Sequence, residues 1–365
     1  MCLGTCGILC NLHRLAESSP PSKIELVTKT GLPLRFPVDT PADTLFNLVR
    51  RLEGASCETA CPKKASFLVH FNGESSHLKR GTCYNCPNEK TVMTTRFVHL
   101  HCHSHYSPHN GTASPELLAR RAKVLGMSAL ALTDYCNLNG IAELRQAAKK
   151  YNIKPIPGIE ASVAGKSRAN NESTFGITLL AMNKEGWQNL NQLALPIIDT
   201  KLLEKHSAGL ICLSGFAGGE IGRLLTDEPK TGFTKAKTVA QWYQKVFGDR
   251  YYLELRNHGI ESQQALFDQT VALGEKLAIP TVATNDIHYI DPGDWKAHDR
   301  LLRQKDDGIN ADKDAPIMGS MLHYFRSTKK MLAAFAGHEA AVGRTLEIAD
   351  RIEPDVCEAL GNVPN

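Results

Sequence analysis

Short apolar runs and amphipathic stretches alternate along the chain from Arg96 onward. Short apolar runs predict buried strands, and apolar positions three and four apart predict helices with one buried face. The predicted strands are 97–101, 129–133, 154–157, 177–181, 210–213, 251–255 and 280–284. The predicted helices follow Ser114-Pro115 and lie near 140–150, 184–194, 234–247 and 261–277. Because strands and helices alternate, the pattern predicts an α/β fold, a parallel barrel of the (β/α) type.

The first 95 residues carry a different pattern and are predicted to form a separate small module. Its predicted strands are 24–27, 34–38 and 67–71, with a turn at Lys29-Thr30-Gly31 between the first two. A helix is predicted at 43–54, between the second and third strands. This order of hairpin, helix and strand resembles a ubiquitin-like β-grasp. The expected domains are therefore the N-terminal module at 1–95, a barrel at 96–353 and a C-terminal tail at 354–365.

Composition and charge place the chain among ordinary globular proteins, with 42% hydrophobic and 22% charged residues. A net charge of +4 is too small to indicate nucleic-acid binding by itself. No apolar run approaches the roughly 20 residues of a membrane span, and the first residues lack the pattern of a secretory signal. We therefore expect an intracellular protein without a membrane span, in the cytoplasm or nucleoid, with an organelle as the alternative.

Cysteines are concentrated in the N-terminal module, which holds seven of the eleven. Two closely spaced pairs stand out there, Cys57 with Cys61 and Cys83 with Cys86. Such short spacings suit tetrahedral sulfur coordination, so these four residues are candidates for an N-terminal zinc site. The alternative is that they are free thiols in a loop-rich segment.

A histidine-rich motif, "FVHLHCHSHYS" at 97–107, opens the barrel domain. Alternate residues of an extended strand share one face, so these imidazoles can project together. Functional side chains of such barrels gather at the C-terminal ends of the strands. The polar residues predicted at those ends are His101, His103, Asp134, Glu160, Asp286 and His288. Imidazole and carboxylate groups are suitable ligands for zinc or manganese, so the sequence predicts a metal site at the barrel mouth.

Seven segments of the barrel resemble the PHP (polymerase and histidinol phosphatase) domain, in the form found at the N-terminus of the bacterial DNA polymerase III alpha subunit. They are 97–107, 130–140, 154–164, 179–194, 209–225, 251–259 and 279–299. The resemblance implies a distorted (β/α)7 TIM-like barrel, the PHP fold, with up to three metal ions at its mouth. It ends near Glu353, and no polymerase palm is recognisable beyond it, so we do not expect this chain to polymerise DNA by itself.

The family's metal ligands are only partly present when they are carried over by position. The resemblance implies that one ion is held by His101, His103, Glu160 and Asp286. The positions that match further ligands but carry unsuitable residues are Asn110, Tyr135, Gly176 and Phe216. Of the positions that match the ligands of a third ion, only His288 carries a suitable residue. His109 is a possible substitute ligand. The resemblance thus implies at most one tightly bound ion.

Two classes of function remain open. The lost ligands favour a PHP domain with weak or no phosphoesterase activity, acting as a structural or interaction module in a replication assembly that includes a polymerase core or an exonuclease. The alternative is an active metal-dependent phosphoesterase, a hydrolase of DNA 3′ ends or of small phosphate esters. Arg256 and Arg300 are predicted to be surface cations, with contact to a phosphate at the barrel mouth as the alternative. His99 is predicted to face away from the metal ligands or to lie behind them, because the resemblance gives it no direct ligand role.

Overall fold

The computed structural model describes residues 24–27, 33–36, 68–71, 74–77, 96–108, 110–165, 174–305, 318–354 and 356. The chain divides into two compact units, residues 1–93 and 94–365. Several predictions lie outside the described residues: the helix at 43–54, the substitute ligand His109 and the zinc-site candidates Cys57, Cys61, Cys83 and Cys86. They stay predictions, as do the domain bounds 96–353 and 354–365.

Two antiparallel hairpins are described in the first unit. Strand β1 (Ile24–Val27) pairs with β2 (Pro33–Phe36), and β3 (Leu68–Phe71) pairs with β4 (Glu74–His77). The hairpin predicted from the turn at 29–31 is therefore confirmed. The β-grasp arrangement stays a prediction.

Six strands of the second unit form one curled sheet. They are β5 (Ala129–Leu132), β6 (Lys154–Ala164), β7 (Thr174–Ala181), β8 (Leu210–Leu213), β9 (Tyr251–Arg256) and β10 (Thr281–Thr284), in the spatial order β10-β9-β8-β7-β6-β5. The described helices are α1 (Pro115–Val124), α2 (Ile141–Tyr151), α3 (Lys184–Leu193), α4 (Thr200–Lys205), α5 (Glu220–Asp227), α6 (Gly232–Phe247), α7 (Gln264–Leu277), α8 (Trp295–Lys305), α9 (Thr328–Ala334) and α10 (Glu339–Asp350). The predicted α/β class is confirmed.

The segment that carries the histidine motif joins the two edges of this sheet. On one side, Thr133 N–H donates to the Cys102 carbonyl at 2.9 Å. On the other side, His103 N–H donates to the Ile287 carbonyl at 2.8 Å, and Ile287 N–H donates to the His101 carbonyl at 3.1 Å. The curled sheet and this segment together give the distorted barrel. The segment forms an isolated bridge at Cys102, so the prediction of a regular strand at 97–101 is wrong.

Strand β7 runs antiparallel to both of its neighbours, so the prediction of an all-parallel barrel is wrong. A parallel connection needs a crossover of a dozen or more residues, whereas only residues 165–173 join β6 to β7. Strand β6 also continues past its predicted end at Pro157, because its second half pairs with β7. Glu160 therefore lies inside a strand rather than at the end of one.

Local signals explain how the helices are placed. At the start of α1 the Ser114 hydroxyl accepts a hydrogen bond from Leu117 N–H at 3.2 Å, and Pro115 occupies the first turn, as predicted. Two residues after the end of α1, Gly126 adopts a φ of +73°, which a side chain would oppose. Every helix in the described ranges is too short or too polar to cross a lipid bilayer.

Candidate metal centre

Four side chains from three parts of the fold converge at one end of the barrel. His101 Nε2 and His103 Nε2 lie 3.2 Å apart. Glu160 Oε2, from β6, lies 3.8 Å and 3.3 Å from these two nitrogens, and Asp286 Oδ1, from the loop after β10, lies 3.6 Å and 3.3 Å from them. Ligands about 2.0–2.1 Å from a tetrahedral ion are separated by roughly 3.3 Å. The five measured distances are therefore compatible with ligands around one ion, and His101, His103 and Glu160 form one group of potential ligands.

A serine relay orients the ring of His103. Ser107 donates its hydroxyl hydrogen to Asp134 Oδ1 at 2.8 Å, so its lone pairs accept from His103 Nδ1–H at 3.0 Å and from Tyr135 N–H at 2.9 Å. Asp134 is buried and also accepts from the backbone N–H and hydroxyl of Ser104. Since the Nδ1 atom carries the hydrogen, the Nε2 lone pair of His103 is free to bind a cation between His101, Glu160 and Asp286.

A buried carboxylate orients the ring of His101 in the same way. Glu254 is fully buried on β9, and its Oε1 lies 3.0 Å from His101 Nδ1. Thr284 donates to the same oxygen at 2.5 Å, and Gly215 N–H donates to Oε2 at 3.0 Å. Burial raises the pKa of Glu254, but Arg256 and His101 outweigh it and lower that pKa to about 2. The carboxylate therefore accepts the Nδ1 hydrogen of His101 and leaves Nε2 free.

The donor atoms of His101, His103, Glu160 and Asp286 lie close enough together to favour a bound cation between them. Two imidazole lone pairs and two carboxylate oxygens face one another, and a proton or a metal ion between them would relieve their mutual repulsion. Burial lowers the pKa of His103, but hydrogen bonds to Asp286 and Glu160 raise it to about 10. Burial raises the pKa of Glu160, and hydrogen bonds from His101 and His103 hold it well below its usual range. A divalent ion fits the position that a proton occupies otherwise.

The loop after β10 holds Asp286 in a constrained conformation. Its φ is +48°, in the left-handed region that Asp and Asn enter more readily than other residues with a side chain. His323 Nδ1–H donates to the Asp286 carbonyl at 3.0 Å, and His258 Nε2–H donates to the Asn285 carbonyl at 2.9 Å. Burial lowers the pKa of His258 to about 4, so this ring supports the loop as a neutral donor.

His288 lies beside the four converging ligands. Its ring stacks on His103 with the ring centres 4.8 Å apart, and its Nε2 is 3.2 Å from Asp286 Oδ1. Its Nδ1 contacts the Asn110 carbonyl, so Nδ1 carries the hydrogen. Among the described residues, the buried Nε2 then has no hydrogen-bond partner, although it faces a carboxylate. His103, Asp286 and His288 form a second group of potential ligands.

The four positions with unsuitable residues differ in their surroundings. A Cβ at Gly176 would lie 2.8 Å from Glu160 Oε1, so this position faces the candidate ligands without a side chain. Phe216 is buried and has a φ of +45°. Asn110 is half-buried and presents its backbone carbonyl to His288, while Tyr135 is 42% exposed. The predicted role of these positions as lost ligands stays a prediction.

The prediction that Arg256 is a surface cation is wrong. Its side chain is only 11% exposed, with Nη1 at 2.6 Å from Asp286 Oδ2 and Nε at 3.0 Å from Glu254 Oε1. His99, as predicted, faces away from the cluster, because its Nε2 bonds to the Arg326 carbonyl at 2.8 Å.

Sequence reasoning missed Ser107, Glu254 and Arg256. A signal existed for the last two, because both lie in the apolar run "YYLELR" of β9, where charged residues require partners.

Residues 99–258 match the family model described as PHP domain. DNA polymerase III subunit alpha of Borreliella burgdorferi is 35% identical over 275 residues, which are 71% of this chain and 24% of that protein. The subunit of the same name from Escherichia coli K12 is 36% identical over 267 residues, which are 70% of this chain and 23% of that protein. The matched part of this chain thus spans about a quarter of the length of these curated relatives.

Solved structures overlap with the chain more weakly. An amidohydrolase from Chromobacterium violaceum overlaps with a TM-score of 0.36 at 16% identity, over 52% of this chain and 87% of that one. A two-domain protein from Bacteroides vulgatus, described as containing a predicted PHP-like metal-dependent phosphoesterase, has a TM-score of 0.36 at 16% identity, over 53% of this chain and 52% of that one. Overlaps of this size carry no conclusion about function.

Proposed function

Because residues 99–258 are a PHP domain, we propose that the chain is a PHP module of the polymerase III alpha type with one divalent ion, zinc or manganese. The ion is held by His101, His103, Glu160 and Asp286. It joins the histidine segment, β6 and the loop after β10, and so stabilises this end of the barrel. The module has weak or no phosphoesterase activity and serves a structural or interaction role.

The observation that carries this proposal is the spacing of the four donor atoms, at 3.2–3.8 Å for the measured pairs. Both histidines already bind a partner through Nδ1, which orients Nε2 toward the centre. Gly176 and Phe216 offer no ligand for a second ion. Hydrolysis of a phosphodiester gains much from a second ion, so its loss is expected to slow the reaction on the order of 10²–10⁴-fold.

The alternative function is an active metal-dependent phosphoesterase that acts on DNA 3′ ends or on small phosphate esters. It is favoured by the unpartnered Nε2 of His288, which could bind another ion together with Asp286 and His103. The Glu160 side chain is also 18% exposed, so the centre is open to solvent on that side.

The partners of the module are proposed from its relatives. Both relatives described above are named as subunits of DNA polymerase III, so we propose that the module works inside the cell in a replication assembly. The expected partners are a polymerase core or an exonuclease, with DNA close by.

Metal content and activity measured on the same sample test this proposal. We expect one ion per chain at this centre, apart from any zinc held by the four N-terminal cysteines. With zinc or manganese supplied, we expect hydrolysis of a chromogenic phosphodiester and of a 3′-ended DNA oligonucleotide to be no faster in the wild type than in Glu160→Ala. Glu160→Ala serves as the matched control because it removes one ligand and leaves both histidines in place. A wild-type rate that disappears in Glu160→Ala would establish the phosphoesterase instead.

A further inference from the structure

Arg256 places a permanent positive charge inside the candidate metal centre. Its guanidinium lies between two carboxylates, Asp286 and Glu254, and its Nη2 is 3.2 Å from His101 Nδ1. Each carboxylate also contacts or orients a histidine of the centre. The arginine is therefore part of the cluster and not of the surrounding protein surface.

The charges of the groups that contact His101 balance with one divalent ion. Three carboxylates, Glu160, Glu254 and Asp286, contact His101 and together carry three negative charges. One divalent ion and the guanidinium together carry three positive charges. Arg256 stays charged, because a guanidinium is not deprotonated in proteins and its Nη1 and Nε pair with Asp286 and Glu254. A second divalent ion would leave a buried excess of positive charge.

The two oxygens that face the guanidinium belong to carboxylates, which commonly bind metal ions. Glu254 Oε1 and Asp286 Oδ2 are the atoms that Arg256 contacts, and one or two carboxylates with water molecules are a usual ligand set for magnesium or manganese. These oxygens differ from the ligand positions at Gly176 and Phe216, which the PHP resemblance assigns to a second ion.

We propose that Arg256 is a fixed internal cation that limits the centre to one divalent ion, because its guanidinium occupies the space between Glu254 and Asp286 where a second ion would bind. The proposal rests on the one-ion centre proposed above. In this account Arg256 positions Asp286, whose other oxygen, Oδ1, faces His101 and His103.

The test counts bound Mn²⁺ in the full-length chain. Wild type, Arg256→Gln, Arg256→Lys and Arg121→Gln are equilibrated with Mn²⁺ from micromolar to millimolar concentration, and bound ions are measured by mass spectrometry and by paramagnetic resonance of the free ion. Arg121 is the control because it also pairs with an aspartate, Asp291, but lies outside the centre. We expect two ions per chain in Arg256→Gln and one in each of the other three proteins.

The outcomes separate the two proposals. One ion in both the wild type and a folded Arg256→Gln overturns the role of Arg256 and leaves the one-ion centre intact. No ion, or two or more, in the wild type overturns the one-ion centre itself. If Arg256→Gln is unfolded without metal, millimolar Mn²⁺ should restore its near-ultraviolet circular dichroism, because an ion can replace the lost charge. A variant that stays unfolded in Mn²⁺ overturns the proposal.

Discussion

The serine relay behind His103 gives a specific test of how the centre is built. Ser107 Oγ donates to Asp134 Oδ1 at 2.8 Å and accepts from His103 Nδ1 at 3.0 Å and from Tyr135 N at 2.9 Å. The substitution Ser107→Ala removes all three hydrogen bonds. It leaves the ring of His103 without the partner that fixes its tautomer, while Asp134 keeps its bonds from Ser104.

The expected magnitudes follow from these contacts. Loss of a residue that orients a metal-binding histidine costs about 10–100-fold in metal affinity, or roughly 1.4–2.7 kcal/mol. Three hydrogen bonds at about 0.5–1.5 kcal/mol each give a loss of roughly 1.5–4.5 kcal/mol in the free energy of unfolding of the metal-free protein. Both quantities should change in Ser107→Ala.

Ser104 supplies the matched control for this variant. It is also buried, and its hydroxyl donates to Asp134 Oδ2 at 2.7 Å and accepts from Tyr106 N–H at 3.2 Å. Its side chain has no hydrogen bond to His103 among the described contacts. Ser104→Ala should therefore lose roughly 1–3 kcal/mol of stability and keep its metal affinity within about twofold of wild type.

Competition with a chromogenic chelator measures the affinity of each variant, and urea unfolding in excess chelator measures its stability. Equal affinity in Ser107→Ala and wild type would refute the relay. An equal loss of affinity in both serine variants would also refute it, because the effect would then follow Asp134 or general stability rather than the contact with His103.

Three further predictions concern a ligand, pH and the domain boundary. Asp286→Ala should abolish tight metal binding, since it removes a ligand; wild-type occupancy after dialysis would contradict the assignment. Because the pKa of His103 is raised from 6.5 to about 10, its protonation stabilises the metal-free fold below pH 6.5, and this contribution is lost as pH rises toward 10. The melting temperature with chelator should thus fall over that pH range, and the increase in melting temperature on adding metal should become larger. The opposite trend would exclude this coupling between His103 protonation and stability. Residues 94–365 alone should unfold cooperatively, and a non-cooperative melt would show that the first unit supports the barrel.

The alternation of apolar runs was sufficient to predict the α/β class and most strands of the second unit. It could not predict the direction of β7, because hydrophobic periodicity reports burial and not strand direction. The length of the 165–173 connection was the available clue. The segment at 97–101 was predicted as a strand because its residues alternate, but the pairing of the histidine segment depends on distant backbone atoms at Thr133 and Ile287.

The sequence also pointed to His101, His103, Glu160 and Asp286, because polar residues at strand ends and the PHP resemblance indicated the same positions. The structure brings these side chains together, and their role as metal ligands stays a prediction. It did not reveal the groups that orient them. Ser107 lies in a turn like many other serines, and its role depends on the fold bringing Asp134 near it. Arg256 was misjudged because an arginine is usually exposed, and only the structure shows two carboxylates around it.

The central claim, that the centre holds one divalent ion, is tested most directly by anomalous X-ray scattering from crystals of the protein loaded with zinc or manganese. We expect a single strong anomalous peak about 2.0–2.2 Å from His101 Nε2, His103 Nε2, Glu160 Oε2 and Asp286 Oδ1. Two or three peaks within this cluster, or no peak among these four side chains, would contradict the account.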